Sequence, residues 1–135
     1  MEDYRLAYLL NQSLKTRLSR TKEDLDFLIS LANFSVFEWS NSQLQADWNL
    51  IKNNCLVEKV AVSKGLFLEL NDKSWVKHSL IPEHSSVDYL LKINNGGAFI
   101  NEKEILDKIQ KIPKVSTAYS IDVSQLKSKE HLIFN

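Results

Sequence analysis

The sequence predicts an α+β fold of two layers, a mainly antiparallel sheet of about five or six strands carrying two amphipathic helices on one face. Three observations predict it. Apolar residues recur at helical spacing in two separate stretches, one near the N-terminus and one after residue 101. Alternating apolar and polar residues, broken by short polar clusters, fill most of the chain between them. The 135 residues include 44% hydrophobic and 25% charged side chains but only 3 Gly and 2 Pro, the proportions of one globular domain over residues 1–135.

The elements follow in order. Leu6, Leu9, Leu10, Leu14 and Leu18 form a helical stripe over residues 3–18, with Asp3 as N-cap and Arg17 near the C-terminal end. Residues 21–32 fit two readings. Leu25, Leu28, Ile29 and Ala32 suit a helix capped by Thr21, whereas Leu25, Phe27, Ile29 and Leu31 suit a strand, and the window is too short for periodicity to choose. Phe34 to Trp39 is a strand ending at the Ser40-Asn41-Ser42 turn. Residues 48–53 alternate, Leu56 to Val62 is rich in β-branched residues, and Leu66 to Leu70 follows the break at Gly65. Asn71-Asp72 then turns the chain toward Trp75 and Val76. The three tryptophans sit in or beside these strands and are read as packing residues.

The last third predicts a strand–helix–strand unit. Val87, Tyr89, Leu91 and Ile93 share one side of a strand, with Asp88 and Lys92 on the other. Asn94-Asn95-Gly96-Gly97 breaks it. Asn101 opens a helix, with Glu104 three residues on as in a capping box. Ile105, Leu106, Ile109 and Ile112 give the apolar stripe and Pro113 stops it. Val115, Thr117, Tyr119 and Ile121 then alternate as in a second strand.

Composition narrows the function classes. Seventeen basic and 17 acidic residues give zero net charge, which disfavours a nucleic-acid partner. The compact basic run Lys15, Arg17, Arg20, Lys22 is followed at once by Glu23, Asp24 and Asp26 and reads as a solvated surface. One cysteine, Cys55, allows no internal disulfide and no multi-cysteine zinc site. The charged start Met1–Arg5 has no apolar core of a signal peptide, and no stretch is long and apolar enough to span a membrane, so the expected location is cytoplasmic.

Chemistry-bearing patterns are sparse. No nucleophile elbow accompanies any serine, Cys55 reads as a small core residue, and His78, His84 and His131 lack metal-ligand spacing. Asn94-Asn95-Gly96-Gly97 lacks the spacing of a phosphate loop. The sequence does not bring the carboxylates Asp88, Asp107 and Asp122 together. The expectation is therefore no enzyme, no cofactor and no metal.

Residues 81–89 read Ile81-Pro82-Glu83-His84-Ser85-Ser86-Val87-Asp88-Tyr89. This resembles the signature of the IPExxxVDY family, small proteins of Bacteroidota. The segments Glu2–Leu10, Phe34–Trp39, Ile112–Asp122 and Leu126–Asn135 are similar to that family too, so the resemblance covers nearly the whole chain. It implies a bacterial cytoplasmic protein, a further N-terminal strand ahead of Glu2 and an exposed sheet edge where that strand is missing. It implies no activity.

The signature has two readings. In the structural one, Pro82 sets the approach to a strand and biases Ile81 to extended backbone, Glu83 caps or pairs locally, Val87 and Tyr89 point inward and Asp88 points away. In the functional one, Arg5, Glu83, Asp88 and Tyr89 form a partner-binding surface. The expected function is a non-enzymatic protein-binding or regulatory domain, with a protein partner or a second copy of the chain. The alternative is a small-molecule sensor, because Ile109–Val115 ahead of a strand is similar to the helix–strand ending of ferredoxin-like regulatory domains such as ACT domains.

Overall fold

The structure is a computed structural model and describes residues 1–22, 25–27, 32–43, 45–59, 74–94 and 101–132. Its elements are α1 (Asp3–Leu14), β1 (Ser19–Arg20), β2 (Leu25–Phe27), β3 (Ala32–Phe34), β4 (Val36–Asn41), β5 (Ala46–Lys52), β6 (Asn54–Lys59), β7 (Ser74–Ser79), β8 (Tyr89–Asn94) and α2 (Glu102–Gln110), with 3-10 turns at Pro82–His84, Val123–Gln125 and Lys129–Leu132. The α+β class and the antiparallel pairing hold. The main sheet has four strands in the order β1-β4-β5-β8 rather than five or six, and two further two-stranded ribbons pair β2 with β3 and β6 with β7. No described helix is long and apolar enough to cross a membrane.

Register explains the layering. Phe37, Leu50 and Leu91 lie side by side across the sheet, as do Trp39, Trp48 and Ile93, all on one face. Leu6, Ala7 and Leu10 of α1, together with Ile105 and Ile109 of α2 and the following Ile112, close over that face as one core. Trp39 and Trp48 pack there with ring centroids 6.0 Å apart. The expected role of Trp75 falls on a side chain outside the described set.

The other face is not solvent alone. Val36, Ile51 and Leu90 stand in one row across it, and Phe34, Leu80, Ile81, Leu126 and Leu132 cover them as a second core. Beyond that row the face turns polar, with Glu38, Asn49 and Lys92 side by side. The expected two layers thus become helices on one face and, on one end of the other, a strap from the C-terminal segment.

Three local expectations are corrected and one open reading is resolved for its described residues. The first helix ends at Leu14, not at residue 18. Lys15 takes a left-handed backbone (φ 59), and Asn11 Oδ1 accepts from Thr16 Oγ1 at 2.7 Å and Leu18 N–H at 2.8 Å, which brings Leu18 back to the core. Asp3 is not the N-cap. Glu2 holds that place without a side-chain bond, while Asp3 opens the helix and accepts from Tyr4 N–H.

Within 21–32, the described residues Leu25–Phe27 form a strand, paired antiparallel with Ala32–Phe34. The third correction concerns residues 115–121, which form no strand. Val115 packs on the helix-side core and Ile121 on the opposite one, so the chain crosses between faces where strand alternation would keep both on the same side. The strand–helix–strand unit is therefore a strand and a helix only, and the helix–strand ending that resembled an ACT domain is not formed. Leu66–Leu70 and the Asn71-Asp72 turn lie outside the described residues, as do Gly65 and Asn95-Gly96-Gly97.

The C-terminal helix follows the sequence closely. Asn101 Oδ1 accepts from Glu104 N–H at 3.1 Å, and Lys108 pairs with Glu104 one turn on at 3.1 Å.

Candidate functional site

The signature segment is organised around a residue the sequence reading passed over. Asn53 links β5 to β6 and is 0% exposed. Its Nδ2 donates to the carbonyls of His84 (2.9 Å) and Val87 (2.8 Å), and its Oδ1 accepts from Ile81 N–H (2.9 Å). Its backbone N–H donates to Asp88 C=O and its C=O accepts from Leu80 N–H. Every polar group of this buried amide is bonded, and each bond goes to residues 80–88. Asn54 extends the pattern, donating from Nδ2 to Ser85 and Val87 carbonyls and accepting from Ser79 Oγ at 2.6 Å. The only hint in sequence is the polar stretch Lys52-Asn53-Asn54 between Leu50-Ile51 and Cys55-Leu56-Val57.

The signature residues themselves hold distant parts of the chain. Ile81 is extended (φ −117, ψ 91), as the following Pro82 dictates, and is fully buried. Glu83 does not pair locally. Its carboxylate accepts from Ser128 N–H at 2.9 Å and Ser128 Oγ–H at 2.6 Å, pinning the C-terminal strap, and these bonds lower its pKa to about 2. The His84 ring lies tilted against Tyr119, centroids 6.1 Å apart, with Nδ1 3.3 Å from the phenol oxygen. His131 Nδ1 lies 2.7 Å from Leu80 C=O, a second tie for the strap. Asp88 is exposed, whereas Tyr89 packs on the helix-side core and donates its hydroxyl to Met1 C=O at 2.6 Å.

Where the α1 start meets the β8 start there is a shallow depression of about 330 Å3 lined by Glu2, Asp3, Tyr4, Lys52, Asp88 and Tyr89, among others. It is acidic. The Tyr89 phenol is pushed up by burial and then by the charges of Asp3, Asp88 and Glu2, and the Tyr4 phenol is raised by the Glu2 carboxylate beside it. Of the four residues read as a binding surface, the sequence neighbours Asp88 and Tyr89 line this depression. Arg5 is exposed on α1 but does not line the depression, and Glu83 is turned to Ser128.

Cys55 is half-buried against the second core rather than fully inside it. Arg20, from the basic run, lies over the Phe37 ring at 5.7 Å and donates to Val36 C=O. Among the described residues no His, Cys, Asp and Glu group with the makings of a metal site occurs.

Beside the depression runs the outer side of β8. Lys52 N–H donates to Ser35 C=O, so even-numbered residues of β5 bond toward β4. Asn53 N–H donates to Asp88 C=O, so odd-numbered ones bond toward β8, where they meet Leu90, Lys92 and Asn94. The N–H and C=O groups of Tyr89, Leu91 and Ile93 therefore point away from the sheet. They have no hydrogen-bond partner among the described residues.

No protein-family model matches the chain, and comparison with curated proteins and with solved structures finds none similar to it.

Proposed function

We propose that this protein is a non-enzymatic binding or regulatory domain of a bacterial cytoplasm, that it belongs with the IPExxxVDY proteins, and that it takes a protein partner along the outer side of β8. The observation that carries this reading is the row of outward backbone groups at Tyr89, Leu91 and Ile93, on a six-residue strand at the sheet edge. Such a row is a template for an added strand. The signature supports it indirectly. Ile81, Glu83, Asp88 and Tyr89 bond to the Asn53 amide, the strap and Met1, and so tie the start of β8 to the rest of the fold.

The test uses proline at position 91, where the lost N–H is an outward one and no ladder bond is broken. The wild-type chain and a folded Leu91→Pro chain are each used as bait in a Bacteroidota lysate. The reading expects a protein retained by the wild type and released by Leu91→Pro. Equal retention by both counts against an edge-bound partner, and so does retention by neither when the wild-type chain is also a monomer in solution.

A further inference from the structure

This inference rests on the reading of β8 as a binding edge and names the partner. We propose that the edge takes a second copy of this chain, β8 against β8 and antiparallel about a two-fold axis at Leu91, joining the two four-stranded sheets into one.

The backbone dictates the register. In an antiparallel pair the residues that exchange N–H···O bonds must both point at the partner. Only Tyr89, Leu91 and Ile93 do so in β8. An axis at Leu91 sets Leu91 against the second copy's Leu91 and Tyr89 against its Ile93, in both directions, so each outward group meets an outward group. That arrangement gives about six N–H···O bonds.

The neighbouring registers fail on specific contacts. An axis at Leu90 sets Ile93 opposite Val87. The Val87 N–H already donates to His84 C=O, and its C=O already accepts from the Asn53 and Asn54 amides. An axis at Lys92 sets Lys92 directly against its own copy, two like charges face to face. Axes between residues pair outward groups with inward ones and form no ladder.

Side chains suit the same register. On the helix-covered face it opposes Tyr89 to Ile93, an aromatic–β-branched cross-strand pair, and Leu91 to Leu91. All three side chains pack only partly against their own core and are half-buried, which leaves surface for the second copy to cover. On the other face, Asp88 of each copy lies diagonal to Lys92 of the other, opposite charges at both ends of the contact.

Among the described residues, two of the usual devices that keep an edge single, a proline and a bulge, are missing from β8. The strand has one charged residue, Lys92, whose ammonium donates to Leu132 C=O of its own chain.

Two measurements test it. Sedimentation of the purified wild-type protein is expected to give a species of twice 15.6 kDa that dissociates on dilution. Cysteine trapping in a Cys55→Ser background then reads the register, since closely paired antiparallel residues have Cα atoms about 5.5 Å apart, within disulfide reach. Leu91→Cys is expected to oxidise to a covalent dimer. Tyr89→Cys and Ile93→Cys are expected to crosslink with each other and not with themselves, and Leu90→Cys not to crosslink.

A wild-type species of 15.6 kDa at every concentration overturns the homodimer. If a lysate protein is still captured in an edge-dependent way, the binding reading survives that loss. If none is captured, both fall. A dimer that crosslinks through Leu90→Cys instead overturns the register.

Discussion

The two edges of the main sheet are built in opposite ways. At one edge β1 is two residues long, and the chain around it donates back to β4: Thr21 gives both its N–H and its hydroxyl to Val36 C=O, and Arg20 Nη1 reaches the same oxygen. At the other edge β8 is six residues long, in unbroken register with β5, and its outward groups at Tyr89, Leu91 and Ile93 meet no partner among the described residues. The inner side of β8 differs from its outer side just as sharply, because it runs into the fully bonded amide of Asn53. A long unpaired edge is a template for another strand and invites aggregation when no specific partner takes it. The contrast is between a two-residue edge strand whose neighbours bond back into the sheet and a six-residue one whose outward groups meet no partner among the described residues.

The largest effect is expected from breaking the inner side. Asn53→Ala removes three side-chain hydrogen bonds and leaves the buried Ile81 N–H without its acceptor. The expected cost is about 3 kcal/mol, from about 1 kcal/mol for each lost bond, read as a lower urea midpoint at unchanged m-value. Asn53→Asp keeps the acceptor but aims a buried negative charge at the His84 and Val87 carbonyls, and is expected to cost more. Tolerance of either change would remove Asn53 as the anchor of the signature loop.

The next effect separates the two sides of β8. Leu90→Pro and Leu91→Pro each delete one half-buried leucine, but the first also deletes a ladder N–H facing β5 and strands the opposing carbonyl of Ile51. Leu90→Pro is expected to be less stable than Leu91→Pro by about 1–3 kcal/mol. Equal losses in the two variants, both measured as monomers at high dilution, would mean that the outward and inward assignments along β8 are wrong.

How far the sequence carried these conclusions differs by residue. The capping pair Asn101–Glu104 and the alternation of Tyr89, Leu91 and Ile93 act between near neighbours, so local pattern was enough. Residues 115–121 show the limit. Val115, Thr117, Tyr119 and Ile121 alternate as well as β8 does, yet the residues at the two ends of that run serve opposite cores, and alternation cannot report which surfaces a chain passes between.

The site was legible only in part for the same reason. Asp88 and Tyr89 are neighbours in sequence, but the depression they line is completed by Glu2, Asp3 and Tyr4, from the far end of the chain. Asn53 was passed over because its four bonded groups all answer to residues about thirty positions away, which no local spacing records.

A smaller change tests the junction between β8 and the N-terminal helix. Tyr89→Phe deletes the hydroxyl that donates to Met1 C=O and is expected to cost about 1 kcal/mol or less. Because burial and the carboxylates of Asp3, Asp88 and Glu2 raise this phenol above its ordinary value of 10.0, its contribution is complete below pH 10 and is lost as pH rises through the folded value. The gap between wild type and Tyr89→Phe should therefore close in alkaline solution. A gap independent of pH would assign the loss to packing instead.

The smallest effect belongs to the strap, and its sign follows from Glu83. Two donors from Ser128 favour the carboxylate form, so the folded pKa sits near 2 against an ordinary 4.5. A depressed acid stabilises the fold above its unfolded pKa and loses that contribution as pH falls through the folded one. Glu83→Gln should thus unfold at lower temperature than wild type near neutrality, with the difference shrinking between pH 4.5 and about 2. The side chain is exposed, so water and salt screen the interaction and the temperature difference is expected to be small.

Direct titration of the Glu83 carboxyl by carbon NMR is the sharper measurement. Ser128→Ala removes the hydroxyl donor and keeps the backbone one, and should move that titration part of the way back toward 4.5. A Glu83 titrating at 4.5 in the wild type would mean that the strap is not pinned there in solution. The second core would then have to hold Leu126 and Leu132 over Val36, Ile51 and Leu90 by packing alone.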